Sequence, residues 1–137
     1  MVTTRSYKTF LLLLCLGLLP AGVPPPVHGD AGRPIVVNLS ADGPQPKIVR
    51  VAPGTEVHWV SHLNLMVVTM AFLEGQRAAQ ATTAVEGYNS FVLEGAHFVG
   101  RLEGRGGKVA LRFNTPGEYA YTIDHHGQLT GLIVVHP

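Results

Sequence analysis

Apolar and polar residues alternate with a period close to two along most of the chain after residue 33, which is the pattern of strands with one buried face. In the run at residues 56–60, Val57 and Trp59 share one face, while Glu56 and His58 lie on the other. Similar short runs recur at a spacing of about 8–12 residues, as in an all-β sandwich. The predicted strands cover residues 35–39, 47–51, 56–60, 65–72, 108–113, 119–123 and 132–135, and the runs at residues 88–92 and 96–102 are weaker strands that could pair as a hairpin.

Two stretches depart from this alternation. Residues 65–72 form a longer apolar run, which predicts a strand covered on both faces. Residues 75–87 are read as an irregular insertion, with a short helix at residues 76–81, over one end of the sandwich. Because no repeat or second core is visible, the pattern predicts a single Greek-key β-sandwich of seven or eight strands.

The N-terminus has the organisation of an export signal. Arg5 and Lys8 precede an apolar run at residues 10–19, which is shorter than the roughly 20 residues of a membrane span. Small or modest residues at 27–29 predict cleavage before Asp30, giving a signal peptide at residues 1–29 and one domain at residues 30–137. Export implies a periplasmic or extracellular location.

An uncleaved anchor is the alternative reading of the same segment. Residues 7–23 would then dip into the bilayer, and the three prolines at residues 24–26 would form a stiff spacer. The domain contacts a membrane only in this case.

Composition excludes several classes of protein. The chain has 137 residues and a formal net charge of +1, so it carries no electrostatic footprint for nucleic acid. Its only cysteine, Cys15, excludes an intramolecular disulfide framework and a zinc site built on cysteine pairs. Cleavage before Asp30 removes Cys15 and leaves the exported protein without a thiol.

Three stretches in order resemble the cupredoxin family, the small copper proteins such as plastocyanin and amicyanin. They are residues 48–60, with Pro53-Gly54 between two strands and Trp59 near the end; residues 109–121, with Pro116-Gly117 before Tyr119-Ala120-Tyr121; and residues 124–135, which resemble the ligand loop and last strand. The resemblance implies a β-sandwich with copper held by two histidines, a cysteine thiolate and a weak axial methionine.

When the four copper ligands of the family are matched to this chain by position, three of them are absent. The first histidine corresponds to Val67, the cysteine to Ile123 and the axial methionine to Leu129, while His126 stands at the second histidine. Since the replacements are aliphatic, we expect a degenerate member of the family in which core has filled the metal site, with no cofactor and no catalytic activity.

A histidine-based copper site is the alternative. His62 lies in the turn after Trp59, and a local shift of register brings His62 or Met66 towards His125 and His126. Imidazole and thioether groups are copper ligands. In this interpretation the protein binds or carries copper. The other histidines are read as solvated or terminal residues.

The favoured expectation is a non-catalytic binding or accessory module with a protein partner in the periplasm or at a membrane redox assembly. In the cupredoxin family, one end of the sandwich presents an apolar patch to redox partners. The resemblance therefore implies that the same end is the contact surface of this protein. The residues expected there are Leu63, Leu65, Gly127, Gln128 and Leu129.

Overall fold

The computed structural model describes residues 27–29, 32–124 and 129–137. Within them, two β-sheets pack face to face, which confirms the predicted sandwich. The strands are β1 (Val27–Gly29), β2 (Ile35–Ser40), β3 (Gly43–Gln45), β4 (Ile48–Val51), β5 (Thr55–Ser61), β6 (Val67–Phe72), β7 (Thr82–Ala84), β8 (Val92–Glu94), β9 (His97–Glu103), β10 (Lys108–Phe113), β11 (Gly117–Asp124) and β12 (Leu129–Val135). One helix, α1 (Gly75–Ala81), follows β6.

The connections cross between the two sheets. One sheet has the order β1-β4-β12-β11-β6-β9-β8, and the other has the order β3-β2-β5-β10-β7. In the first sheet β1 and β12 both run parallel to β4, whereas β11 is antiparallel to β12 and β6. The starts of β4, β12 and β6 therefore lie at the end of the sandwich where β11 finishes. We name this the β11–β12 end.

The observed strands agree with the predicted ones except for four short additions and the run at residues 88–92. Four strands of three residues each, β1, β3, β7 and β8, supplement the longer ones. The helix predicted at residues 76–81 is confirmed as α1, and Thr82 ends it by starting β7. The run at residues 88–92 is mostly loop, and only Val92 joins a strand.

The expectation that residues 65–72 are covered on both faces is wrong. In β6, Val68, Met70 and Phe72 are buried, while Thr69 and Ala71 are half-buried on the other face. The second face packs against no further layer among the described residues. Apolar composition alone therefore does not distinguish a two-sided strand from a one-sided strand with small residues outside.

The core is centred on Trp59, which lies on β5 between the two sheets and is fully buried. Its ring meets those of Phe72 and Tyr121 edge to face, at centroid distances of 6.0 and 5.7 Å. Phe113 lies at 6.3 Å on the same sheet as Trp59. Such aromatic pairs add about 0.5–1.5 kcal/mol each beyond the burial of their area.

Tyr121 occupies the middle of β11 and is fully buried. Its neighbour on β12 is Gly131, where a Cβ atom would overlap the ring of Tyr121. The Tyr121 hydroxyl and the indole N–H of Trp59 are buried with no hydrogen-bond partner among the described residues. Burial raises the pKa of Tyr121 to about 12, because the phenolate would lose its hydration there.

The raised pKa of Tyr121 predicts alkaline sensitivity. The unfolded chain releases the phenol proton near pH 10, whereas the folded chain keeps it to about pH 12. Because the folded state binds the proton more tightly, this contribution to stability is complete below pH 10 and is lost as the pH rises to about 12. In that window the free energy of unfolding falls by up to about 1.4 kcal/mol per pH unit from this group.

Urea denaturation at pH 8 to 12 measures this slope, and Tyr121→Phe serves as the control. The variant lacks the titrating hydroxyl, so it should lose stability less steeply with pH than the wild type. Identical slopes in the two proteins would contradict the assignment.

No helix within the described residues is long and apolar enough to cross a bilayer.

Candidate functional site

The β11–β12 end gathers the segments that the sequence singled out. The turn at residues 62–66 joins β5 to β6 here, and β12 begins here at Leu129. Two backbone hydrogen bonds fix the turn: the His62 N–H donates to Leu39 O at 2.8 Å, and the Gly104 N–H donates to Met66 O at 2.7 Å. The turn is therefore attached to both sheets.

Ile123, the residue at the thiolate position, is part of the core. Its side chain is 1% exposed, and it lies on β11 between Met70 of β6 and Leu129 of β12. Met70 is fully buried and Leu129 packs against the same core. The position is thus filled by aliphatic and thioether side chains from three adjacent strands.

Val67 does not join this group. It pairs with Glu103 of β9 and is 45% exposed, while its neighbour Val68 is the buried residue. The structure therefore places the residue matched to the first histidine on the outer face of the sheet. Matching the first histidine by counting residues from Trp59 did not predict this outward position, because the turn at residues 62–66 determines which face of β6 each residue occupies.

The structure describes two of the four candidate metal ligands, His62 and Met66. His62 is exposed, and its Nε2 lies 2.7 Å from Asn38 Oδ1. Met66 is 90% exposed at the start of β6. His125 and His126 lie outside the described residues, so their relation to His62 and Met66 stays a prediction.

The donor set does not fit a type 1 copper centre. Such a centre needs a thiolate and a first histidine, and isoleucine and valine have no atom that binds copper. Among residues 27–29, 32–124 and 129–137, no three His, Cys, Asp or Glu side chains come close enough together to hold a metal ion.

The residues that are exposed at the expected contact surface differ from those that the sequence predicted. Leu63, Leu65 and Leu129 are half-buried and pack against the core, so they are not the exposed residues of this end. Among the described residues, the exposed apolar side chains at this end include Met66 and Val67. Gly127 and Gln128 lie outside the described residues, and their part in the surface stays a prediction.

A polar cluster that the sequence did not reveal lies on the outer face of the five-stranded sheet. The Tyr88 hydroxyl is 3.1 Å from His58 Nδ1, and His58 Nε2 is 3.5 Å from Glu56 Oε1. Arg112 approaches the other carboxylate oxygen of Glu56, also at 3.5 Å. His58 is therefore half-buried rather than solvated. The alternation along β5 placed His58 on the same face as Glu56, but nothing in the neighbouring sequence indicated the contact between His58 and Tyr88.

The remaining histidines have ordinary surroundings. His97 is exposed at the start of β9. His136 follows β12, and its backbone N–H donates to Val51 O at 2.9 Å.

The two sheets, the Trp59 core and the order of the strands define a cupredoxin-like fold. The solved structures that share it include mutants of amicyanin. One, in its oxidized state, is 24% identical, with a TM-score of 0.55 over 74% of this chain and 81% of that chain. Another, in its Cu(I) form, is 20% identical, with a TM-score of 0.54 over 85% of this chain and 88% of that chain.

No family model matches the chain, and no curated protein sequence matches it significantly. At these identities the similarity to amicyanin establishes the fold alone.

Truncating Ile123 tests whether this position is core. Ile123→Ala should lower the free energy of unfolding by about 2–5 kcal/mol, because it leaves a cavity between three strands. Val67→Ala is the matched control at the same end of the sheet, and its effect should stay within about 0.5 kcal/mol. Urea denaturation measures both, and equal losses would contradict the core assignment.

Proposed function

We propose that this protein is an exported, non-catalytic cupredoxin-like module that lacks a type 1 copper site and acts as a binding or accessory subunit. Its setting would be the periplasm or the outer face of a membrane redox assembly, where a protein partner docks on the β11–β12 end. The observation that carries the proposal is the buried Ile123 at the thiolate position.

The packing around Ile123 supports a role without type 1 copper. A ligand position that has lost its metal would leave a cavity or a buried polar group without a partner, and both are costly. Here the position lies between Met70 and Leu129 and is nearly sealed from solvent. The end of the sandwich is therefore stabilised by apolar contacts that need no metal.

The exposed side chains at the same end support a binding role. Met66 is 90% exposed, although moving a methionine side chain out of water lowers its free energy. Val67 adds apolar surface beside it. Methionine adapts its shape to a partner because its side chain is unbranched and flexible, which suits a docking surface.

Metal analysis tests the first part of the proposal. Protein purified from copper-supplemented cells should contain far less than one copper per chain and show no intense thiolate-to-copper absorption band. Stoichiometric copper with such a band would overturn the proposal, since it would require a thiolate ligand.

The same sample tests a second candidate, a copper-binding or copper-carrier protein. The exposure of Met66 near the strand ends that flank His125 and His126 favours it, because thioether and imidazole groups suit copper. This function predicts tight copper binding without the thiolate band and its loss in His126→Ala. Equal titrations of wild type and variant would exclude a site at His126.

The docking surface is tested with two matched substitutions. Met66→Lys places a charge on the β11–β12 end, whereas Leu93→Lys places one on β8, where Leu93 is 45% exposed and pairs with Phe98 at the opposite end of the sheet. In affinity capture from membranes in mild detergent, Met66→Lys should reduce recovery of the partner about tenfold, as expected for an apolar contact worth about 1.4 kcal/mol. Equal reductions by both variants would argue against docking at Met66.

A further inference from the structure

The first described strand lies within the segment whose removal the sequence predicts. β1 covers Val27–Gly29 and runs parallel to β4, with Val27 opposite Val49 and Gly29 opposite Val51. On its other side β4 pairs with β12. β1 is therefore the edge strand of the seven-stranded sheet, and β4 is an interior strand only because β1 is present.

Cleavage before Asp30 would cut directly after the last residue of β1. The sheet would then end at β4, whose four residues would present unpaired backbone N–H and C=O groups at the edge. β4 reads Ile48-Val49-Arg50-Val51 and has a single charged residue. A strand edge left unpaired in this way can pair with other chains unless it is covered.

We propose that export processing spares β1, so that any hydrolysed peptide bond lies upstream of Val27 and the mature chain keeps Val27–Gly29 as a structural strand. In that reaction water adds across one peptide bond and leaves a carboxylate on the signal and an amine on the mature chain. The inference rests on the proposed export, and it goes beyond the proposed function by assigning the processing boundary.

The sequence upstream of β1 accommodates such a boundary. The apolar run ends at residue 19, and Ala21, a small residue, follows almost at once. Export-signal cleavage sites have small residues at −3 and −1, and cleavage after Ala21 supplies the one at −1 but places Leu19 at −3. The three prolines at residues 24–26 directly precede β1 in the sequence. Retention of the whole segment as an anchor also preserves β1.

The direction of β1 determines where the N-terminal segment meets the domain. β1, β4 and β12 are parallel, and β12 starts at the β11–β12 end. Val27 therefore enters the sheet from that end. Any attachment upstream of Val27 therefore joins the domain at the end of the sandwich that carries Met66.

The natural N-terminus tests the proposal directly. The full chain, with its own N-terminal segment, is expressed in a Gram-negative host, and the product in the periplasmic and membrane fractions is identified by intact mass. We expect a chain that begins at or before Val27. A main product that begins at Asp30 would overturn the proposal, and recovery of the whole chain from the cytoplasm would overturn the export on which it rests.

Two deletions of equal length in the full chain test the structural role of β1. Deleting residues 27–29 moves the three prolines into the position of β1, and prolines have no backbone N–H to donate. Deleting residues 24–26 is the matched control, because it leaves β1 intact.

Hydrogen exchange of the peptide covering β4 is the readout. Deletion of residues 27–29 should speed exchange in β4 about tenfold or more and lower the thermal midpoint, because backbone hydrogen bonds at the edge are lost. Deletion of residues 24–26 should leave both unchanged. Equal exchange in the two variants would overturn the proposal. Neither readout involves copper or a partner, so failure here is distinguishable from failure of the proposed function.

Discussion

The packing of Trp59 between the two sheets is the contact on which the rest of the sandwich depends. Its ring meets Phe72 and Tyr121, which belong to adjacent strands of the opposite sheet. Because side chains alternate along a strand, placing Tyr121 inside also places Ile123 inside. The contact at the centre of the core therefore decides that the residue at the thiolate position faces the core, whatever side chain stands there.

This constraint explains why the three positions matched to copper ligands have different surroundings. At residue 123 the backbone directs the side chain into the core, so isoleucine fits where a cysteine without metal would leave a small cavity. At residue 67 the backbone directs the side chain outward, so valine is exposed and contributes little to packing. At residue 129 leucine is half-buried and closes the end of the core beside Ile123. Two of the three aliphatic replacements are thus structural, and one is a surface residue.

The sequence predicted what is determined locally. Alternation identified the longer strands, and the inward positions of Val57 and Trp59 were correct because a period of two is a property of the strand itself. The half-burial of Leu63 and Leu65, the outward position of Val67 and the contact between His58 and Tyr88 depend on which strands become neighbours. The last pair is 30 residues apart in the chain, and nothing at either residue indicates the other. The pairing of β1 with β4 was missed for the same reason, since three residues are too few to show a period.

The parallel arrangement of β1, β4 and β12 connects the N-terminal segment to the β11–β12 end through backbone geometry alone. A strand added in parallel at this edge must enter from the end where β4 and β12 begin, because reversing it would reverse the register between Val27 and Val49. The same end carries the turn that exposes Met66 and the start of β12 at Leu129. In the proposed membrane-anchored form, the segment before Val27 would therefore also orient the domain. For a module whose partner lies in that membrane, this orientation lowers the rotational freedom that docking must remove, so a small apolar surface such as Met66 and Val67 can suffice.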